Sequence, residues 1–310
     1  MADPQLSVVM PTHNRTDQLL RAATSVLAQG SVDLELIIVD DASDPGNEAT
    51  LERIATDGRV RIVRNPVSLG PGGARNKGIE LARGDYLAFC DDDDALLPGA
   101  ADALVAHLRA NPELGAVSCW HQVVHPAIDR VVDYRGPLRF GAGGLRWFNF
   151  VAIPFGVIRR ADHPDGVWFD PELPTCEDWD VWLRCAERRP FEVVPLVLYS
   201  YYQHGGARVT KVEAGRRSGL QTFLDLHADS MTPACRAYHR AVLAEQVGGR
   251  RGMARQLVAD TAGAPVAAGL AASVLACSAA MSPLGIRRAD PGLAARSVHH
   301  LLAAEGQDAR

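Results

Sequence analysis

No C-x-x-C pair occurs among the six cysteines, Cys90, Cys119, Cys176, Cys185, Cys235 and Cys277. This removes the spacing of common zinc sites, suggests no disulfide framework, and suits thiols kept reduced in the cytosol. No G-x-G-x-x-G follows the first strand-like run, so the dinucleotide fingerprint of an oxidoreductase is missing. The basic residues form no long stripe and the formal net charge is −5, so nucleic acid is not an expected partner. The N-terminus lacks a basic region followed by an apolar core and a cleavage site and runs straight into a strand; the expectation is a cytoplasmic protein rather than a secreted one. No tandem repeat at a solenoid period is visible. Thr261 to Ile286 carries no charge and is long enough to cross a bilayer, but Ala and Gly dominate it and Pro265 and Pro283 break it, so it reads as a buried helical hairpin.

What is present is a core and a rhythm. With 310 residues, 47% of them apolar, the chain can hold one large domain or a domain with an appendage. The run Tyr86-Leu87-Ala88-Phe89-Cys90 ends in Asp91-Asp92-Asp93-Asp94, a buried strand delivering acids to the carboxyl edge of a sheet, where open α/β folds bind ligands. Four adjacent anions repel one another, which is easiest to understand if Mg²⁺ or Mn²⁺ sits among them. The competing reading is a solvated turn or the acidic start of the helix after Pro98. A second run, Leu34 to Val39, also ends in acids, Asp40-Asp41, and in a parallel sheet the two groups would share an edge.

Strand and helix patterns alternate from Leu6 to about Ala110, with helices at Asp17 to Gln29, Asn47 to Thr56 and Gly73 to Ala82 and a strand at Val60 to Val63. This predicts an α/β doubly wound, Rossmann-like, mainly parallel central sheet. Shorter strands follow from Ala116 to Tyr202, with a helix from Glu177 to about Arg188, and Gly141-Ala142-Gly143-Gly144 reads as a flexible loop near the site. After Lys211 the helical spacing of Leu224, Leu243, Leu257 and Leu275 predicts a tail of four or five helices. The expected domains are residues 1–210, catalytic, and 211–310, a C-terminal helical extension.

Taken in order, Ser7-Val8-Val9-Met10-Pro11-Thr12-His13-Asn14-Arg15, Ile38-Val39-Asp40-Asp41-Ala42-Ser43, Gly73-Ala74-Arg75-Asn76-Lys77-Gly78, Phe89-Cys90-Asp91-Asp92-Asp93-Asp94 and Glu177-Asp178-Trp179-Asp180-Val181-Trp182-Leu183-Arg184 resemble the family 2 glycosyltransferases with the GT-A fold. The resemblance spans about residues 5 to 210 and implies inverting transfer from a nucleoside diphosphate sugar, UDP-linked, to a hydroxyl of a glycan, lipid-linked or natural-product acceptor. It makes Asp41 the partner of the nucleobase, and Pro11, Thr12, Asn14 and Arg15 part of the nucleoside wall. Arg75 becomes a contact to base or diphosphate, and Asp91, near the ribose, and Asp92 bind the donor. Asp93 is implied as ligand to a divalent Mn²⁺ or Mg²⁺, and Asp178 as the general base.

Several of these positions carry a second reading. Thr175-Cys176-Glu177-Asp178 resembles a capping box with Thr175 as N-cap, a pattern of many helix starts without catalytic meaning. Glu177 is a candidate to orient the acceptor or hold the loop, and Asp180 a helix-surface or supporting charge. At least one of Trp179 and Trp182 is expected in the core, the other a candidate platform for a sugar ring. His204 is a candidate metal ligand or a plain loop histidine, because Gln203 and Gly205-Gly206 depart from the family pattern; Arg208 is an alternative contact to the diphosphate. Phe155 and Gly156 suggest an apolar or flat acceptor, with Trp120, Trp147, Phe148 and Phe150 as nearby aromatic surface. Arg250, Arg251, Arg255, Arg287 and Arg288 flank the uncharged stretch and raise peripheral contact with the inner face of a membrane, and the tail raises a homodimer. The alternatives are a sugar nucleotidyltransferase, which would normally open with a Gly-rich phosphate loop, and a non-catalytic sugar-nucleotide-binding protein.

Overall fold

A computed structural model describes residues 3–125, 130–134, 139–147, 149, 151, 156–203, 213–244 and 256. Ten strands form one sheet: β1 (Leu6–Thr12), β2 (Leu34–Asp40), β3 (Val60–Arg64), β4 (Tyr86–Phe89), β5 (Ala95–Leu96), β6 (Ala116–His125), β7 (Arg130–Tyr134), β8 (Arg139–Phe140), β9 (Gly156–Arg159) and β10 (Phe191–Tyr202). The order is β3-β2-β1-β4-β9-β6-β10-β5, with β7 paired to β6 and β8 to β10. Strands β3, β2, β1 and β4 are mutually parallel, as the alternation of strands and helices requires. Beyond β4 the sheet is mixed, because β9 runs antiparallel to both β4 and β6.

The helices are α1 (Asp17–Leu27), α2 (Glu48–Ile54), α3 (Gly70–Leu81), α4 (Ala100–Ala110), α5 (Ala142–Trp147), α6 (Glu177–Arg188) and α7 (Glu213–His227), followed by α8 over 233–244. Alternate side chains of the central strands divide between two cores. Val8 and Met10, Leu36 and Ile38, and Tyr86 and Ala88 face α1, α2 and α4. Val9, Ile37, Val39, Leu87 and Phe89 pack with α3, α5, α6, α7 and α8. Burial on both faces explains why Leu36 to Val39 in β2 are continuously apolar rather than alternating.

Several expectations change. Gly141 to Gly144 is not a loop: Ala142–Trp147 is helical, with Leu145 and Trp147 buried. Helix α3 starts at Gly70, three residues before the expected Gly73, because an acceptor outside the helix, described below, holds its first backbone N–H groups. Thr175 is not an N-cap. Cys176 holds that position at φ 67°, without a side-chain cap hydrogen bond, so the capping-box reading falls. Neither tryptophan of α6 offers a sugar platform: Trp182 is fully buried, and Trp179 stacks on Phe223 with ring centroids 4.4 Å apart. Of the tail, α7 and α8 are described; Leu257, Leu275, the uncharged stretch and its flanking arginines lie outside the described residues, as do Phe148, Phe150 and Phe155.

Gly156 has a packing reason rather than an acceptor one. A Cβ there would stand 2.1 Å from Cη2 of Trp182, so the indole lies directly on the backbone of β9. Replacing Gly156 with Ala is expected to destabilise the fold by about 1–3 kcal/mol through overpacking. A companion Trp182→Phe change should recover part of that loss in urea unfolding. A Gly156→Ala protein as stable as the parent would show that the indole does not occupy this position.

Candidate active site

The site is built from strand ends. Thr12 is in register with Asp40 and Val9 with Phe89, so β1, β2 and β4 deliver their C-termini to one edge. Asn14 at φ 56°, Ala42 at φ 60° and Cys176 at φ 67° occupy left-handed backbone conformations beside this edge. That conformation is uncommon outside glycine, and such residues gather at ligand sites, where surrounding contacts hold them. Asn14 is held on both sides: its backbone N–H donates to Ser43 Oγ at 3.0 Å, and its Oδ1 accepts from the Asp44 backbone at 2.7 Å.

The acid run is neither a solvated turn nor a helix start. Asp92, Asp93 and Asp94 are 6%, 5% and 0% exposed, and α4 begins at Ala100 after Gly99. Each carboxylate has a compensating partner. Arg75 donates to Asp91 at 2.8 Å, Thr12 Oγ1 and Arg15 to Asp92 at 2.7 and 3.0 Å, and Arg15 also pairs with Asp93. Asp94 accepts from Tyr199 Oη at 3.1 Å and from the Tyr202 backbone at 3.0 Å. Burial outweighs this help at Asp92, whose pKa is pushed up to about 7, with Arg15 and Thr12 opposing the rise. Burial raises Asp91 as well, against the pull of Arg75.

One carboxylate oxygen each from Asp91, Asp93 and Asp94 lies within 4.8 Å of the others. An all-oxygen, anionic donor set of this kind fits a hard divalent cation such as Mg²⁺ or Mn²⁺. Asp93, the expected metal ligand, is one of the three, and Asp94, which was not among the expected site residues, joins it. Its place at the end of the acid run was visible in the sequence, but its neighbours on β10 were not. His204 and Arg208 lie outside the described residues.

Asp41 is placed differently from a group waiting for a base. Its two oxygens accept from Asn65 Nδ2 at 2.7 Å, Ser68 Oγ at 2.7 Å, the Leu69 backbone at 2.9 Å and the Gly70 backbone at 2.9 Å. A carboxylate offers about four acceptor positions, so these contacts occupy it. It is the distant cap that begins α3 and fixes the 65–70 loop. Pro11 is half-buried at the end of β1, between the Asp41 side of the edge and the acid run.

The second half of the chain enters through α6. Arg75, 4% exposed, bridges Asp91 to Glu177, which it reaches at 3.1 Å. Its guanidinium lies 5.3 Å from the Phe169 ring centre, and the Phe169 backbone is clamped by both amide atoms of Asn76 at 2.8 Å. Asp178, next along α6, accepts from Asn149 Nδ2 at 2.9 Å. Burial, with the charge of Asp178 adding to it, pushes Glu177 up to about 7; burial also raises Asp178. Asp180 is not a surface charge: 1% exposed, it binds Arg184 at 2.6 Å and His227 at 2.9 Å. Burial opposes its ionisation, but those two hydrogen bonds hold its carboxyl below the usual range. Sequence reasoning missed Asn149, which no pattern marks, and the clamp by Asn76, which stands inside the quoted Gly73 to Gly78 motif. Among the described residues no helix is long and apolar enough to cross a membrane.

Comparisons with known proteins agree with this fold. The family described as Glycosyl transferase family 2 matches residues 7–146. The succinoglycan biosynthesis protein ExoO of Rhizobium meliloti (strain 1021) is 41% identical over 248 residues, covering 76% of this chain and 68% of ExoO. The crystal structure of S. aureus TarS 1-349 in complex with UDP-GlcNAc superposes with a TM-score of 0.64 at 15% identity, over 96% of this chain and 92% of that one. The mannosyltransferase PcManGT from Pyrobaculum calidifontis, in complex with GDP-Man and Mn²⁺, gives a TM-score of 0.59 at 21% identity, over 95% and 86% of the two chains. At such identities the two structures speak for the fold, and the ExoO match, with the family match, for the lineage. The nucleotidyltransferase and non-catalytic readings fall accordingly: the chain belongs to glycosyltransferase family 2 and is a glycosyltransferase of the GT-A fold.

Proposed function

We propose that the protein is a metal-dependent, inverting glycosyltransferase that takes a sugar from a UDP-linked donor and places it on a hydroxyl of a glycan, lipid-linked or natural-product acceptor. The observation that carries this reading is the Asp91–Arg75–Glu177 bridge, which sets the start of α6, and with it Asp178, beside the buried acid run. Inversion needs a base on the face of the sugar opposite the leaving group. Asp178 takes that part: the acceptor oxygen attacks the anomeric carbon, its proton passes to the Asp178 carboxylate, and the bond to the diphosphate breaks. A carboxyl raised by burial is better matched to proton abstraction near neutral pH than an ordinary aspartate. Glu177 is engaged with Arg75 and serves as holder rather than base.

Asp91, Asp93 and Asp94 would hold a divalent cation, which when bound supplies positive charge against that gathering on the leaving diphosphate. Thr12, Asp92 and Arg15 line the donor side, and Asp41 contributes to the nucleoside end through the 65–70 loop it holds. The choice of uridine is supported by the UDP-GlcNAc complex of TarS, while the GDP-Man complex of PcManGT makes guanosine the comparison to include. A thermal-shift panel of nucleoside diphosphates with Mn²⁺ should show the largest rise with UDP, since a ligand that binds the native state raises its apparent stability.

Asp178→Asn tests the base. Transfer should fall by about 10² to 10⁴, the usual contribution of a positioned base, while UDP affinity and melting temperature stay near the parent values. A variant that turns over at the parent rate would move the search to Glu177.

The titration of Glu177 gives a stability prediction with a definite sign. Its pKa rises from 4.5 in the unfolded chain to about 7 in the native state, so between those values the native protein holds more protons and stability falls as pH rises. Glu177→Gln lacks this dependence. The melting temperature of the parent minus that of the variant should therefore drop from about pH 4.5 to about pH 7 in metal-free buffer. A difference that stays constant would show that Glu177 titrates normally in the folded protein.

A further inference from the structure

We infer that Arg15 is a displaceable internal cation: its guanidinium holds the acid run in the metal-free protein and leaves it when a divalent ion arrives, becoming a contact for the donor diphosphate. The inference rests on the metal-dependent reading above. It starts from an inequality between two arginines. Arg75 is locked, with a side chain 5% exposed and partners on two elements, Asp91 and Glu177. The Arg15 side chain is 23% exposed, stands on the loop between β1 and α1, and its Nη1 pairs with both Asp92 and Asp93.

Asp93 is also one of the three carboxylates whose oxygens converge, together with Asp91 and Asp94. Of these, Asp94 accepts from Tyr199 and from the Tyr202 backbone, and Asp91 from the fixed Arg75. Arg15 is thus a cation that competes with an incoming ion at Asp93. A unit charge a few ångströms from a divalent ion is strongly repulsive even in a partly solvated site, so the two cannot share this carboxylate without cost. Arg21 does not replace Arg15, because it donates to the backbone oxygen of Asp93 and lies over the Tyr202 ring, 3.9 Å from its centre. Once released, the Arg15 guanidinium has the fork geometry that suits phosphate oxygens, at the mouth of a donor site.

The exchange predicts changes of opposite sign in one variant. Arg15→Gln should bind Mn²⁺ alone more tightly than the parent, by roughly tenfold or more, because the competing charge is gone. The same variant should bind UDP at saturating Mn²⁺ more weakly, by a similar factor. Arg15→Lys keeps the charge without the fork and should leave Mn²⁺ affinity near the parent value while weakening UDP. The measurements are Mn²⁺ titration followed by electron paramagnetic resonance and UDP titration by calorimetry, on the full chain. Mn²⁺ affinity unchanged or reduced in Arg15→Gln, with the parent still binding Mn²⁺, would overturn the exchange alone. Absence of Mn²⁺ binding in all three proteins, with and without UDP, would overturn both the exchange and the metal-dependent reading.

Discussion

Four carboxylates packed against the end of β4 are the constraint around which this edge of the molecule is arranged. Left without partners, buried anions of this density would unfold the strand end or stay protonated. The partners come from separate parts of the chain: Thr12 from the end of β1, Arg15 from the loop after it, Arg75 from α3, and Tyr199 and Tyr202 from β10. Compensation at one acid run therefore ties the parallel half of the sheet to the mixed half. It is incomplete, since burial still pushes the Asp92 pKa up to about 7.

The start of α6 depends on the same constraint and on packing behind it. Arg75 reaches Glu177, so the acid run and the first turn of α6 share one buried guanidinium. Behind that turn Trp182 lies on Gly156, Trp179 stacks on Phe223, and Asp180 joins Arg184 to His227. The last two contacts come from α7, so a helix after the mixed sheet helps fix the element that carries Asp178. In the reading proposed above Asp178 is the base, and a base must be held close to its working position, so these apolar and ionic contacts bear on that proposal.

Much of this arrangement was legible in the residues. Apolar runs ending in Asp40-Asp41 and in Asp91 to Asp94 marked strand ends on one edge, and the ordered motifs marked the family. Local patterns failed where a distant contact decides the outcome. The beginning of α3 is held by Asp41, more than twenty residues earlier, and its local start signal, Pro71 in the first turn, was missed. Gly141 to Gly144 looked like a loop because two exposed glycines hide a helix whose buried face begins at Gly144 and Leu145. Thr175 followed by Asp178 imitated a capping box, whereas the left-handed Cys176 begins the helix. Asp41 stood out in the sequence by its place after a strand, yet its engagement with the 65–70 loop depends on a fold that no local window contains.

The account stands on the acid run as the donor site, and Asp93 is its most direct probe. Calorimetric titration of UDP into the parent protein and Asp93→Asn, each in Mn²⁺ and in EDTA, isolates the contribution of that carboxylate. The account predicts that the variant loses most of the affinity gained from Mn²⁺ and matches the parent in EDTA. Equal UDP affinity for the two proteins at saturating Mn²⁺ would contradict it.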